Sequence, residues 1–251
     1  MKYVVLPLDE ERRLSFYLAM EEYVARHVLP TAGSDELFFM WQVQPSVIFG
    51  RNQVLEDEVN VDYCREHNIL LYRRKSGGGC VYADRSNVMM SYITKGEDVG
   101  FAFNSFMGKM LLVLRHLGVE AVGNSHNDIM IGGNQRAGGQ GSEMRKVSGT
   151  ACYHLPGCSI VHATMLYDTD MDNMLGALTP STEKLQKNGV QSVRQRITLL
   201  KDHITQNIEE FKQTVRTTLC SGELLLSETD VSAVKQIEET YLREEFIHLV
   251  T

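Results

Sequence analysis

Apolar residues along the chain recur with two periods, and each period predicts a kind of element. Between Asp9 and Leu29, residues Leu14, Tyr17, Leu18, Val24 and Val28 follow i, i+3, i+4 spacing. The acidic run Asp9, Glu10, Glu11 stands ahead of them, where the positive end of a helix dipole favours anions, so an amphipathic helix is predicted. Leu37 to Gly50, LFFMWQVQPSVIFG, is dense in aromatic and β-branched residues and broken by Pro45, which gives two short buried strands around a turn. Asn68 to Tyr72 and Val88 to Thr94 read as strands joined by the polar, glycine-rich RRKSGGGCVYADRSN. From Phe106, residues Met110, Val113, Leu114 and Leu117 keep helical period up to the breaker Gly118. Further strands are predicted around Asp128 to Ile131, Val147 to Tyr153 and Ser159 to Tyr167, and further helices over Thr205 to Leu219 and Asp230 to Leu242. The elements interleave without a βαβ rhythm or an internal repeat. The expected fold class is therefore α/β, an α+β mixed sheet in a single domain over 1–251.

Composition changes this picture little and narrows the partners. The 251 residues are 43% hydrophobic and 23% charged, an ordinary globular mix. Thirty-two acidic against twenty-five basic residues leave a net charge of −7, which disfavours a general nucleic-acid binder. No apolar run approaches the roughly 20 residues that cross a bilayer, and no signal-type stretch forms at the N-terminus, so a cytoplasmic protein without a membrane partner is expected. Cys64, Cys80, Cys152, Cys158 and Cys220 form an odd set without a CxxC pair, which points to reduced thiols rather than a zinc site or disulfide framework.

Four groups of residues could carry chemistry. Arg73, Arg74, Lys75 and Ser76 precede Gly77, Gly78 and Gly79, a turn that is either a plain hairpin or a cradle for phosphate or carboxylate. It matches neither the Walker nor the dinucleotide glycine pattern. Asn127 and Asp128 stand at the mouth of a strand, and Arg145, Lys146, Val147, Ser148 and Gly149 follow after GGNQRAGGQG, whose glycine content between Gly132 and Gly141 predicts a mobile lid. A lysine at a strand start can hold a carboxylate and an attacked phosphate together, and Asp128 can accept from an amine or carry magnesium. Alone, such a lysine is as readily an exposed cation paired with a surface carboxylate. His162, in HATML, is either a satisfied core residue or a base, with no nucleophile elbow beside it. Ser192, Val193, Arg194, Gln195 and Arg196 place two cations two apart, as a solvated face or as a receiver of an acidic partner.

Taken in order, these groups resemble the lipoate-protein ligase A family over nearly the whole chain. RRKSGGGCVYADRSN is similar to the family signature Arg-Arg-x-Ser-Gly-Gly-Gly-x-Val-x-His-Asp-x-Gly-Asn; RKVSGTA followed by HATML and the segment ending SVRQRI match two more. The resemblance implies a biotin/lipoate-ligase-like catalytic domain, class II aminoacyl-tRNA-synthetase-like, that joins lipoate with ATP into lipoyl-AMP. The lipoyl group then passes to a lysine of lipoyl-acceptor domains, such as 2-oxo-acid dehydrogenase E2 subunits or glycine cleavage H protein. By matching position it implies Lys146 as catalytic residue, touching carboxylate and α-phosphate. It implies Arg74, Gly79, Cys80, Val81, Tyr82, Asn127 and Asp128 toward ATP, with magnesium at Asp128. Toward lipoate it implies Trp41, Arg73, Ser76, Gly77, Gly78, Gly149, His162 and Thr164. A cationic site built from Arg73, Arg74, Lys75, Arg145 and Lys146 is expected inside the acidic average.

Three departures from the family pattern modify these expectations. Ala83 replaces a histidine, Ala163 replaces a glycine, and the insertion before Lys146 is long. Without a C-terminal accessory domain in its 251 residues, the chain is expected either to use a separate partner chain for adenylation or to perform transfer alone. Rival readings are an octanoyl or lipoyl transferase working through a thioester on Cys80, Cys152 or Cys158, a biotin ligase, and a non-catalytic lipoyl-binding homologue.

Overall fold

The structure, a computed structural model, describes residues 1–8, 10–132, 144–179 and 196–248. In chain order the elements are β1 (Lys2–Val5), α1 (Leu14–Tyr23), β2 (Glu36–Trp41), β3 (Ser46–Phe49), α2 (Leu55–Glu58), α3 (Val61–Glu66), β4 (Leu70–Arg73), β5 (Val81–Ala83) and β6 (Val88–Lys95). There follow α4 (Val99–His116), β7 (Ala121–Gly123), β8 (Ile129–Gly132), β9 (Met144–Leu155), β10 (Cys158–Met165), α5 (Met171–Ala177), α6 (Ile208–Leu219), β11 (Gly222–Leu225), α7 (Glu228–Tyr241) and α8 (Glu244–Ile247). An eight-stranded mixed sheet runs β11-β1-β2-β6-β10-β9-β8-β7, and a three-stranded sheet runs β4-β3-β5. The expected α/β class and most element positions hold; β1, β5, β7 and β11 are short strands that the pattern did not announce. None of the described helices is long and apolar enough to cross a membrane.

The main sheet is covered on both faces, which explains its least polar strand. Leu37, Phe39 and Trp41 of β2 pack on the α1 side, while Phe38 and Met40 pack on the α4 side. A strand buried on both faces reads as an unbroken apolar run rather than an alternation. Pro45 ends β2's run, and β3 then joins the smaller sheet, pairing parallel with β4 and antiparallel with β5.

α1 departs from the amphipathic helix expected of it. It begins at Leu14 with no acidic residue in its first turn, and every residue from Leu14 to Glu22 is buried. The reason is its position between the sheet and α7. Ser15 donates to Glu238 at 2.6 Å, Tyr23 donates to Asp230, and Tyr241 donates to Glu22. The polar side of α1 is thus turned to a second helix instead of to water. α4 starts earlier than its apolar period suggests, because the Asp98 side chain accepts from the Phe101 N–H as an N-cap, and it ends at Gly118, whose φ of +78° suits glycine.

Two cations of the RRK run serve this scaffold. Arg73 is 1% exposed, stacks on the Phe49 ring, and donates to the carbonyls of Gly50, Arg51 and Gln53 and, through Nε at 3.0 Å, of Ile247 in α8. It ties the turn after β3 to the last described helix. Lys75 reaches the other way, to Glu22 at 2.6 Å and over the Tyr241 ring. Arg73→Met would orphan several carbonyls and is expected to cost about 3 kcal/mol, lowering the thermal midpoint by roughly 6 °C or more. Circular dichroism melting checks this; an unchanged midpoint would contradict a structural role for Arg73.

Candidate functional site

Strand pairing assembles one wall of the site on the α1 face of the main sheet. Trp41, Met89, Thr164 and Gly149 lie opposite one another across β2, β6, β10 and β9, and Phe39, Ser91, His162 and Ala151 form the next row. Opposed residues share a face, so side chains distant in sequence stand about 5 Å apart along each row.

The β8–β9 pairing slips between Ile129 and Met130, so that Ile129 faces Ser148 while Met130 faces Lys146. The slip changes the phase of β9. Strict alternation would put Lys146 on the face opposite Gly149 and Ala151, yet all three line the same cavity. Val147 and Ser148 turn inward together, and the fully buried Ser148 hydroxyl has no partner among the described residues.

Lys146 reaches Asp128 Oδ1 at 2.7 Å through a 24% exposed side chain. Its path runs over Gly149, where a Cβ would come within 2.5 Å of Nζ. Burial pushes the Lys146 ammonium below the usual lysine range, while Asp128 works in the opposite direction. Asp128 is itself held by the turn before β8: the Asn124 side chain accepts from the N–H groups of His126 and Asp128, and Asn127 takes a left-handed φ of +59° that asparagine tolerates. Arg196 meets the second carboxylate oxygen, Oδ2, at 3.2 Å. The Arg196 segment arrives where β10 has ended: Ile197 bridges to Lys146, and Thr198 N–H donates to the Lys146 carbonyl.

The glycine turn closes the opposite wall. Gly78 has φ +92°, and a Cβ on Gly50 would strike the Gly78 carbonyl at 2.2 Å, so both positions require glycine. Arg74 organises the turn: Nε donates to Ser76 Oγ at 3.0 Å, and Nη2 donates to the Gly77 and Gly79 carbonyls at 2.7 Å each. Burial pushes its pKa down to about 10. From Ser76 a chain of hydrogen bonds crosses the site floor. Ser76 Oγ lies 2.7 Å from His162 Nε2, His162 Nδ1 lies 3.1 Å from Glu21 Oε2, Ser91 donates to Glu21 Oε1 at 2.6 Å, and Trp41 Nε1 donates to Ser91 at 2.9 Å. A neutral His162 protonated on Nδ1 pairs every donor in this chain with an acceptor. Glu21, buried to 3% exposure, thereby joins the Trp41 wall to the glycine turn.

The cavity has two lobes. One, of about 360 Å³, is lined by Leu18, Trp41, Ile48, Met89, Ala163, His162 and Gly78; the other, of about 180 Å³, by Tyr82, Leu166, Met174, Leu178 and Ile197. Both share Gly79, Cys80, Val81, Lys146, Gly149, Thr164 and Arg196. Arg74 and Asp128 line the larger lobe, so the expected ligand residues largely converge. Arg73, Ser76, Gly77 and Asn127 are not on either wall: Arg73 binds the scaffold, Ser76 and Gly77 hold the turn, and the Asn127 carbonyl accepts from Thr150.

The expected five-cation cluster does not form. Lys75 faces Glu22, and Arg145 pairs with Ile131, whose side chain packs toward α4, on the face away from Lys146. Both Asp128 carboxylate oxygens face cations, Lys146 and Arg196, and no group of three or more His, Cys, Asp or Glu gathers among the described residues. Of the three thiols considered for a thioester, only Cys80 lines the cavity. Cys152 packs toward α4 with its pKa pushed up to about 11 by burial, and Cys158 is buried beside Ala25. Ala83 is enclosed in the core, whereas Ala163 reaches the cavity. The glycine-rich stretch expected as a lid, beyond Gly132, and Ser192 to Gln195 lie outside the described residues.

The Lys146 environment gives a titration test. After reductive ¹³C-methylation, the Lys146 resonance is expected to titrate below those of exposed lysines. In Asp128→Asn it should move lower still, because the charge favouring the ammonium is lost. An unchanged or higher midpoint in that variant contradicts the pairing.

With this geometry in place, the likeness to known proteins is specific. The family model of the lipoyl protein ligase A/B catalytic domain matches residues 14–220. Lipoate-protein ligase LplJ of Bacillus subtilis is 34% identical over 199 residues, covering 78% of this chain and 56% of that protein. The crystal structure of lipoate-protein ligase A bound with ATP superposes with a TM-score of 0.80 at 26% identity, over 100% of both chains. One chain from the bi-partite lipoate protein ligase of Thermoplasma acidophilum, described with its E2 lipoyl domain, superposes at 0.78 and 26% identity over 100% of this chain and 98% of that one. The chain spans 56% to 63% of the length of the first bacterial ligases it matches. It belongs to the lipoyl protein ligase A/B catalytic domain family.

Proposed function

We propose that this chain joins a lipoyl-type carboxylic acid to ATP as an acyl adenylate and passes the acyl group to a lysine of a lipoyl-acceptor domain. The observation that carries this reading is Lys146 at the junction of two lobes, one walled by Trp41, Leu18, Ile48 and Met89 and the other opening past Gly79, Cys80, Val81 and Tyr82. An acyl chain suits the first, apolar wall, and a nucleotide the second.

Adenylation brings a carboxylate against an α-phosphate. Two negative charges 4 Å apart repel by about 1 kcal/mol in water and about 4 kcal/mol at an effective dielectric of 20, so desolvating the pair without a cation slows the reaction. The Lys146 ammonium, on a compact charge that can touch both groups, offsets this repulsion as the carboxylate oxygen attacks phosphorus and pyrophosphate leaves. In the second step a neutral lysine amine of the acceptor attacks the acyl carbonyl and AMP departs. Neither step needs a nucleophile from this chain. His162, tied between Glu21 and Ser76, serves to hold the floor rather than to move a proton.

The relatives support both substrates and the partner: one was solved with ATP, a Thermoplasma acidophilum relative with bound lipoic acid, and the archaeal bi-partite ligase is described with its E2 lipoyl domain. Because that archaeal ligase is bi-partite, we include a second polypeptide as a partner in adenylation. The five free cysteines suit a reducing compartment such as the cytoplasm. The thioester route keeps one observation in its favour, Cys80 on both walls.

Incubation of an acceptor domain with lipoate, ATP and magnesium, with and without the accessory polypeptide, is expected to give a lipoyl-sized mass gain. Lys146→Ala should abolish adenylate formation with the fold intact; near-normal activity would sink the assignment. In Gly149→Ala the new Cβ would stand 2.5 Å from Lys146 Nζ and 3.6 Å from Asp128 Oδ1, so adenylation is expected to slow by about 100-fold through misplacement of the ammonium. Activity without ATP, lost in Cys80→Ser, would establish the thioester route instead.

A further inference from the structure

Resting on the adenylation reading above, we propose that Arg196 is a substrate-contacting residue of this site, the second cation on the phosphoryl group that Lys146 engages. The argument begins with charge. Lys146 paired with Asp128 alone is neutral and has no net attraction for an anion. Arg196 makes the triad two cations against one carboxylate, a net +1. A mononucleotide phosphate entering there meets the charge of Arg196 together with that of Arg74, which lines the larger lobe and acts on Lys146 through space.

Geometry gives the same answer. Lys146 Nζ and Arg196 Nη2 approach the two oxygens of one carboxylate, at 2.7 and 3.2 Å. A phosphoryl group presents pairs of oxygens in a like manner, so the spacing of the two cations on Asp128 is one that also suits a phosphoryl group. A guanidinium carries five N–H groups, and holding Asp128 through Nη2 uses one of them. Arg196 lines both lobes and is 32% exposed, which leaves it room to turn toward a ligand.

The neighbouring cations are committed elsewhere. Arg74 Nε and Nη2 hold Ser76 and the carbonyls of the glycine turn, Arg73 holds the carbonyls of the 50–53 turn and of Ile247, and Lys75 holds Glu22. Arg196 is delivered by main-chain pairing with Lys146 itself, through the Ile197 bridge and the Thr198 N–H, so the two residues are held side by side at the main chain.

The test measures equilibrium binding of AMP, adenosine and lipoic acid, each alone, to the full chain and to Arg196→Gln and Arg196→Lys. In Arg196→Gln the preference for AMP over adenosine is expected to fall roughly tenfold or more, with lipoic acid, whose carboxylate also meets the net charge, losing less than AMP and Arg196→Lys recovering part of the loss. The AMP-to-adenosine ratio is internal to each variant, so a partly unfolded preparation does not mimic the effect. An unaltered ratio in both variants overturns the inference, as does an equal loss for all three ligands with a lowered melting midpoint. Failure of the acid-activation reading looks different: the wild-type chain and its partner would form no adenylate from lipoic acid, while the AMP preference would still depend on Arg196.

Discussion

The site depends on one ion pair held out of water at a fault in a β-sheet. Lys146 stands on β9 and Asp128 in the turn that leads into the adjacent β8, and only the slip between Ile129 and Met130 lets Lys146 share a face with Gly149, Ala151 and the cavity. The slip has a cost, visible in the buried Ser148 hydroxyl without a partner among the described residues. A desolvated lysine beside a carboxylate is poorly solvated and strongly oriented, and that is the condition under which one ammonium can serve two substrate anions.

Around that pair the protein separates cations that work from cations that build. Arg73, Arg74 and Lys75 are consecutive and were expected to act together on ligands, yet they diverge to the 50–53 turn and α8, to the glycine turn, and to α1 with α7. Each secures one side of the cavity. Glu21 performs a comparable task from α1, on the site's own face of the sheet, joining Trp41 through Ser91 to the glycine turn through His162 and Ser76. The Trp41 wall and the glycine turn are therefore coupled through one buried carboxylate.

What was legible in the sequence follows from which features are local. Periodicity located the long helices and strands, since it reports the face that each presents to a core. The Gly78 turn, Lys146 and the apolar Trp41 segment were readable because their residue types are restrictive. Side-chain direction within a run of like charges was not readable, because it is decided by partners such as Ile247, Glu22 and the turn carbonyls, far away in sequence. Arg196 was named as a cation but left open between a solvated face and a receiver of an acidic partner, for the same reason: its meaning comes from Asp128, 68 residues away in the turn before β8. Glu21 did leave a signal. It falls on the stripe Leu14, Leu18, Glu21, Ala25, Val28, where a carboxylate on the core-facing side of a helix asks for a buried partner. The short strands β1, β5, β7 and β11, of three or four residues, are too brief for a period to show.

The central claim is that Lys146 marks the point where acyl and nucleotide groups meet, and a crystal structure of the chain with a non-hydrolysable sulfamoyl analogue of lipoyl adenylate tests it most directly. The account requires the phosphate-replacing group within hydrogen-bonding distance of Lys146 Nζ, the acyl chain against Trp41 and Met89, and the nucleoside past Tyr82. A ligand bound with its acyl chain away from Trp41, and with the Lys146–Asp128 pair undisturbed and out of reach, would contradict it.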